Sequence, residues 1–281
     1  MKTVRVIPRL DIKGPNLVKG IHLEGLRVLG KPADFAQYYY EQGADELMFM
    51  DVVASLYERN SLHSIISETA KSIFIPITVG GGLRSITDIK EVLRVGADKV
   101  CLNTAVIKRP DLIQEAAKMF GSSTIVIAIE AIKEPDGRYL AYTDNGREFT
   151  GVDVFEWAQR VDELGAGEIV VTSVDREGSG QGFDLELVNR ISSLVTIPVI
   201  AHGGAGNQDH VVDVLKNGNI GSAMISSLFH YQFIKENTSK ASDLEGNVEF
   251  LNQKRNFHTF LPTTIRELKK HLKSYQIDCR I

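Results

Sequence analysis

IPITVGGGLR at residues 75–84 and IPVIAHGGAG at residues 197–206 are one phrase written twice, an apolar strand-forming run that ends on paired glycines. Other matches keep the same spacing around them: GADE at 43–46 matches GAGE at 165–168, and KVCLNTA at 99–105 sits opposite GSAMISS at 221–227. Between these landmarks, short β-branched runs bounded by Gly, Asp or Asn alternate with amphipathic stretches, the pattern of repeated βα units and a parallel sheet. Strands are predicted near 4–11, 46–51, 74–79, 98–103, 124–130, 168–173, 197–202 and 221–226. In the intervening ITDIKEVLRVG, Ile86, Ile89, Val92 and Leu93 share a face that Asp88, Lys90 and Glu91 avoid. A period this long suits neither a solenoid nor a doubly wound open sheet, whose strand-end glycines would not repeat this way. The expected fold is an α/β protein, a (β/α)8 TIM barrel built from two half-barrel repeats and occupying residues 1–281 as a single domain.

Composition agrees with a globular chain. Of 281 residues 43% are apolar and 24% charged, which excludes disorder and collagen-like repeats. A net charge of -4 gives no general attraction to nucleic acid, so none is expected as a partner. No run reaches the roughly 18 apolar residues of a membrane span. The start, MKTVRVIPRLD, is cut by Arg5, Arg9 and Asp11 before a signal-peptide core forms, and a cytoplasmic location without membrane association is expected. The two cysteines, Cys101 and Cys279, make no C-x-x-C, and the seven histidines show no ligand spacing, so neither metal nor cofactor is expected.

Two breaks interrupt the regular spacing. Residues 12–31 form a connection far longer than a usual βα loop and read as a mobile active-site lid. Residues 231–262, polar and mixed in sign, read as an insertion before the last helix, TTIRELKKHLKSY.

In such a barrel, ligands sit where strands end and helices begin, because free backbone N–H groups converge there. Gly81 and Gly82 follow the third strand and Asn103 and Thr104 the fourth, while Gly203 and Gly204 follow the seventh and Ser226 and Ser227 the eighth. Glycines let a backbone approach a phosphate and hydroxyls add donors. A tight turn explains one such glycine run; its duplication points to two anion cradles and a substrate with a phosphate at each end. Lys19 on the lid, and Asp175 and Gly178 in TSVDREGSG, are further candidates for the same mouth, as are Asp51 and Glu177. A solvated lysine and an ordinary turn are the plain alternatives for Lys19 and for the D-x-E-G stretch.

Strand parity supplies a reaction centre. Arg5, Ile7, Arg9 and Asp11 share one face of the first strand, and Thr124, Val126, Ala128 and Glu130 the equivalent face of the fifth. Asp11 and Glu130 therefore end corresponding strands, and a pair of opposed acids suits general acid–base catalysis, whereas either acid alone is equally suited to capping a loop. At the opposite end, inward parity brings Arg5, Glu46, Lys99 and Glu168 together. Burial of any one alone would be costly, so a closed ring is expected, either as a structural salt-bridge cluster or as a plugged opening for a small molecule.

RVIPRLDIK with NLVKG, DVVAS, IPITVGGGLR, GADKVCLNTA, GAGEIVVTSVDREGSGQGFD and IPVIAHGGAG together closely resemble the histidine biosynthesis barrel family, in particular the cyclase subunits of imidazole glycerol phosphate synthase. The likeness covers about residues 1–230 and resumes in the last helix. It implies a glutaminase partner at the N-terminal face of the barrel, whose ammonia passes the gate of Arg5, Glu46, Lys99 and Glu168. The ammonia attacks a bis-phosphorylated ribulosyl aminoimidazole carboxamide intermediate, giving imidazole glycerol phosphate and an aminoimidazole carboxamide ribotide, with Asp11 as base and residue 130 as acid. The family usually has Asp at position 130 and D-R-D-G where this chain has DREG with Glu177. It usually has Cys in place of Arg9 and a small residue in place of His202, and it lacks the insertion. A branch with this kind of first strand resembles proteins found with surface-polysaccharide genes. That leaves an alternative: a paralogous ammonia-conduit and docking subunit, with weak cyclase activity or none, serving a third, sugar-modifying enzyme.

Overall fold

The computed structural model describes residues 3–54, 62–237 and 260–281. In chain order the strands are β1 (Arg5–Lys13), β2 (Asn16–Ile21), β3 (Glu24–Gly30), β4 (Leu47–Asp51), β5 (Ile77–Gly80) and β6 (Lys99–Leu102). They continue as β7 (Ile125–Lys133), β8 (Tyr139–Thr143), β9 (Glu148–Asp153), β10 (Glu168–Ser173), β11 (Val199–His202) and β12 (Ser222–Ile225). The helices used below are α1 (Pro32–Glu41), α2 (His63–Thr69), α3 (Ile86–Arg94), α4 (Thr104–Lys108), α5 (Asp111–Phe120), α6 (Val154–Glu163), α7 (Leu185–Leu194), α8 (Gln208–Asn217), α9 (Ser227–Glu236) and α10 (Ile265–Ser274).

Eight of the strands are parallel neighbours in the order β10, β11, β12, β1, β4, β5, β6, β7, and the pairing of β7 with β10 closes the cylinder. Closure leaves each barrel strand buried on both faces, which is why their sequences read as continuous apolar runs. Outward side chains such as Leu47, Val100, Ile127 and Ile169 pack under the helices with Ile89, Val92, Leu187 and Ile191. Inward, Ile7, Met48, Cys101, Val126, Val170, Ile200 and Met224 fill the middle of the cylinder as a packed barrel core.

The duplication is visible atom by atom. Leu47 N–H donates to Pro76 O and Ile169 N–H to Pro198 O, each at 2.9 Å, so the prolines delay the starts of β5 and β11 to Ile77 and Val199. Ser85 caps α3 by accepting from Asp88 N–H, and Asn207 caps α8 by accepting from His210 N–H. Asn103 and Ser226 are the N-caps of α4 and α9, which makes Asn103 equivalent to Ser226 and Thr104 to Ser227. That register lies one residue from the string match of KVCLNTA with GSAMISS, because inward-facing Lys99 and Cys101 correspond to Ser222 and Met224.

The stretch at 12–31 read as a lid is paired backbone over most of its length. β2 runs antiparallel to β1 and β3 antiparallel to β2, a hairpin turned at His22 and Leu23, both with positive φ. A second hairpin, β8 and β9, extends β7 in the same way and turns at Asp144 and Asn145, again with positive φ. The two tips dock equivalently: His22 Nδ1 lies 2.9 Å from Val174 O beyond β10, and Asn145 Nδ2 donates to Val52 O beyond β4 at 2.6 Å. Of the insertion expected at 231–262, residues 231–236 are the last turns of α9, and residues 238–259 lie outside the described residues. Among the described residues no helix is long and apolar enough to cross a membrane.

Candidate active site at the barrel mouth

At the ends of β5 and β11 the paired glycines take left-handed conformations that a side chain resists: Gly81 and Gly82 have φ of 100° and 71°, Gly203 and Gly204 of 93° and 107°. Space forbids a side chain as well. A Cβ on Gly81 would stand 2.3 Å from Asp51 O, and one on Gly203 would stand 2.7 Å from Ser173 O. Both glycine turns are thus pressed against the end of the preceding barrel strand, turning backbone toward the mouth.

A cavity of about 270 Å³ opens on the first-half side, lined by Arg9, Asp51, Gly81, Gly82, Asn103, Thr104 and Glu130. Six of the mouth candidates singled out from sequence, Asp51, Gly81, Gly82, Asn103, Thr104 and Glu130, meet there. Glu130 is buried near the end of β7, with its Oε2 accepting from Gly146 N–H at 2.8 Å. Burial pushes its carboxyl up to about 7, against the opposing pull of the Gly146 amide, the Arg9 charge and the Asn103 side chain. A carboxyl that holds its proton near neutrality is suited to act as an acid.

Asp11, 2% exposed, lies two residues beyond Arg9 on β1 and accepts from Arg9 Nε at 2.8 Å. On the second-half side, Ser226 Oγ donates to Arg9 O at 3.2 Å, and Ser226 and Ser227 are buried at the start of α9. Gly178 supports the hairpin rather than open space, since a Cβ there would stand 2.8 Å from Gly20 O. Lys19 Nζ pairs with Glu177 Oε1, both side chains being at most 3% exposed, and the residue lines a cavity of about 340 Å³ together with Gly20, Arg27 and Tyr231. Asp175 is exposed and accepts from Lys133 N–H at 2.9 Å, so it braces the end of β7. Asp51 accepts from Val53 N–H at 3.0 Å.

At the other end of the barrel, Arg5 Nη1 lies 2.5 Å from Glu46 Oε1 and 2.8 Å from Glu168 Oε1. Lys99 Nζ lies 3.1 Å from Glu46 Oε2 and 2.9 Å from Glu168 Oε2, completing an alternating ring. Arg5 and Lys99 keep 26% and 17% of their side chains exposed.

Sequence reasoning passed over Asp144, Asn145 and Gly146 at the tip of the second hairpin, of which Gly146 holds Glu130 through its N–H, and Thr172, whose hydroxyl meets His202. D-N-G at 144–146 between the alternating runs YLAYT and EFTGV is a hairpin signal that would have found the first three.

Fold and mouth together define a (β/α)8 barrel of duplicated halves whose glycine turns, hydroxyls and buried acids gather where strands give way to helices. The chain belongs to the histidine biosynthesis protein family, which matches residues 5–235. It is 59% identical over 206 residues to the imidazole glycerol phosphate synthase subunit HisF of Legionella pneumophila, covering 73% of this chain and 97% of that protein. It is 45% identical over 231 residues to the subunit of the same name from Alkaliphilus metalliredigens strain QYMF, covering 82% and 92%.

Proposed function

We propose that this protein is the cyclase subunit of an imidazole glycerol phosphate synthase. Glu130 protonates and Asp11 deprotonates a bis-phosphorylated ribulosyl aminoimidazole carboxamide intermediate held between the two glycine cradles. Gly81, Gly82, Asn103 and Thr104 bind one phosphate; Gly203, Gly204, Ser226 and Ser227 bind the other. Ammonia made by a glutaminase partner on the N-terminal face enters past the ring of Arg5, Glu46, Lys99 and Glu168 and attacks at the mouth, where ring closure and cleavage give imidazole glycerol phosphate and the aminoimidazole carboxamide ribotide. The β2–β3 hairpin covers the mouth during turnover.

The observation that carries this reading is the similarity to HisF subunits over almost their whole length, with Glu130 lining the cavity and Asp11 buried on β1 against Arg9, which lines the cavity too. The relatives' names favour a synthase subunit over the conduit serving a sugar-modifying enzyme. Purified protein supplied with an ammonium salt should consume the intermediate, and Asp11→Asn should abolish consumption.

A further inference from the structure

Arg9 stands at the floor of the mouth and the acid–base scheme gives it no part. It is 2% exposed, and contacts hold it on three sides. Its Nε donates to Asp11 Oδ1 at 2.8 Å, its carbonyl accepts from Ser226 Oγ at 3.2 Å, and its Nη1 lies 3.4 Å from His202 Nδ1. Thr172 Oγ1 approaches the same imidazole nitrogen at 3.1 Å. Burial and the charges of Arg9 and Lys19 keep His202 neutral, with its pKa well below the ordinary histidine range. With two donors converging on Nδ1, the lone pair is assigned there and the ring proton to Nε2. His202 is then an acceptor that fixes the guanidinium fork.

The arrangement is one-sided. Ala128 occupies the position in β7 that Arg9 occupies in β1, so Glu130 has no cation two residues before it and is held by the Gly146 amide. A charged group bonds Asp11 directly and a neutral amide bonds Glu130, which the Arg9 charge reaches without a bond. Among the described residues Asp11 Oδ1 receives the Arg9 bond, and Oδ2 has no hydrogen-bond donor.

We propose that Arg9 is a positioning residue for the reaction: locked by His202 and Thr172, it fixes one oxygen of Asp11 and leaves the other directed to accept a proton from substrate. A charge-assisted bond with a planar fork sets both distance and orientation, which a single-point cation does less well. The role rests on the cyclase reading for its substrate, whereas the placement of Asp11 can be tested without turnover.

The experiment measures kcat and KM with ammonium and the bis-phosphorylated intermediate for wild type, Arg9→Met, Arg9→Lys and His202→Leu. Alongside it, the carboxyl ¹³C signal of Asp11, assigned by its loss in Asp11→Asn, is followed in each protein. Arg9→Met should lower kcat about 100-fold, the scale of a roughly 1 Å misplacement, with KM nearly unchanged. Arg9→Lys should recover about tenfold of that loss, and His202→Leu should lower kcat about tenfold while the charge at position 9 remains. The Asp11 signal should move in Arg9→Met and His202→Leu and return toward wild type in Arg9→Lys. A wild-type kcat and unmoved signal in Arg9→Met, a loss confined to KM, or a lysine variant no better than methionine would overturn the role. Should Arg9→Met fail to fold, His202→Leu carries the same comparison. Absence of wild-type turnover would count against the cyclase reading, and the Asp11 signal would still decide whether Arg9 places that carboxylate.

Discussion

Lys19 and Glu177, 158 residues apart in sequence, are bound to each other in the interior and fasten the β2–β3 hairpin to the loop after β10. Leu23 N–H donates to Glu177 Oε2 at 3.2 Å and His22 N–H to Glu177 O at 2.9 Å, so Glu177 holds the hairpin tip at both of its residues, beside the contact of His22 with Val174 O. Removing either partner strands a buried charge. Glu177→Leu should therefore destabilise the protein by about 3–5 kcal/mol, whereas the double change Lys19→Met with Glu177→Leu should recover most of that loss. Denaturant midpoints of the single and double variants check this, and a double variant no more stable than the singles would contradict it.

Glu130 links stability to pH in a direction opposite to that of a salt-bridged acid. Its folded value is pushed up from 4.5 to about 7, so the folded state holds the proton more tightly than the unfolded chain. Relative to the fully ionised state, the stabilisation is complete below about 4.5 and is lost as pH rises through about 7, amounting to on the order of 3 kcal/mol. Glu130→Gln, which keeps an acceptor for the Gly146 N–H, should flatten that part of the stability profile. It should also remove the acid from the mouth and lower kcat by about 100-fold or more. Urea titrations between pH 4 and 8, paired with turnover at each pH, provide the comparison.

The glycine turns admit no side chain. Gly81→Ala and Gly203→Ala should each cost about 1–3 kcal/mol, since a Cβ would meet Asp51 O at 2.3 Å or Ser173 O at 2.7 Å from a left-handed backbone. Both should also weaken substrate, read as a rise in KM larger than the fall in kcat. Thermal unfolding and steady-state kinetics separate the two effects.

In the ring at the opposite face, Arg5 bonds Glu46, Glu168 and Ser222, the last through Nε to Oγ at 2.8 Å. If ammonia passes here, Arg5→Ala should change glutamine-dependent turnover in the complex more than turnover with free ammonium. Equal changes in both assays would argue for a ring that serves only stability.

The fold was legible because duplication and parity are both properties of the chain. Proline and glycine punctuation at 76, 81–82, 198 and 203–204 marks the same strand twice, and a barrel strand buried on both faces must be apolar throughout. The hairpins were harder to read. The first tip uses His22–Leu23 in left-handed conformations and much of β3 is exposed, so neither an apolar stripe nor a glycine turn distinguishes that hairpin from a loop. The second carries its signal in D-N-G at 144–146, although much of β9 is exposed. The pairing of Lys19 with Glu177 was beyond reach for another reason. Period-two arguments say which face a side chain takes, but the crossing of a hairpin from β1 to the end of β10 depends on tertiary closure. The same holds for His202, a lone histidine in sequence that meets Arg9 only when β11 and β1 face inward together.

The most direct test is turnover with ammonium in place of a glutaminase. Wild-type protein should consume the bis-phosphorylated intermediate and release both imidazole glycerol phosphate and the carboxamide ribotide in equal amounts, and Asp11→Asn should do neither. Intermediate left intact by folded wild-type protein, or consumed equally well by Asp11→Asn, would contradict the assignment of chemistry to this mouth.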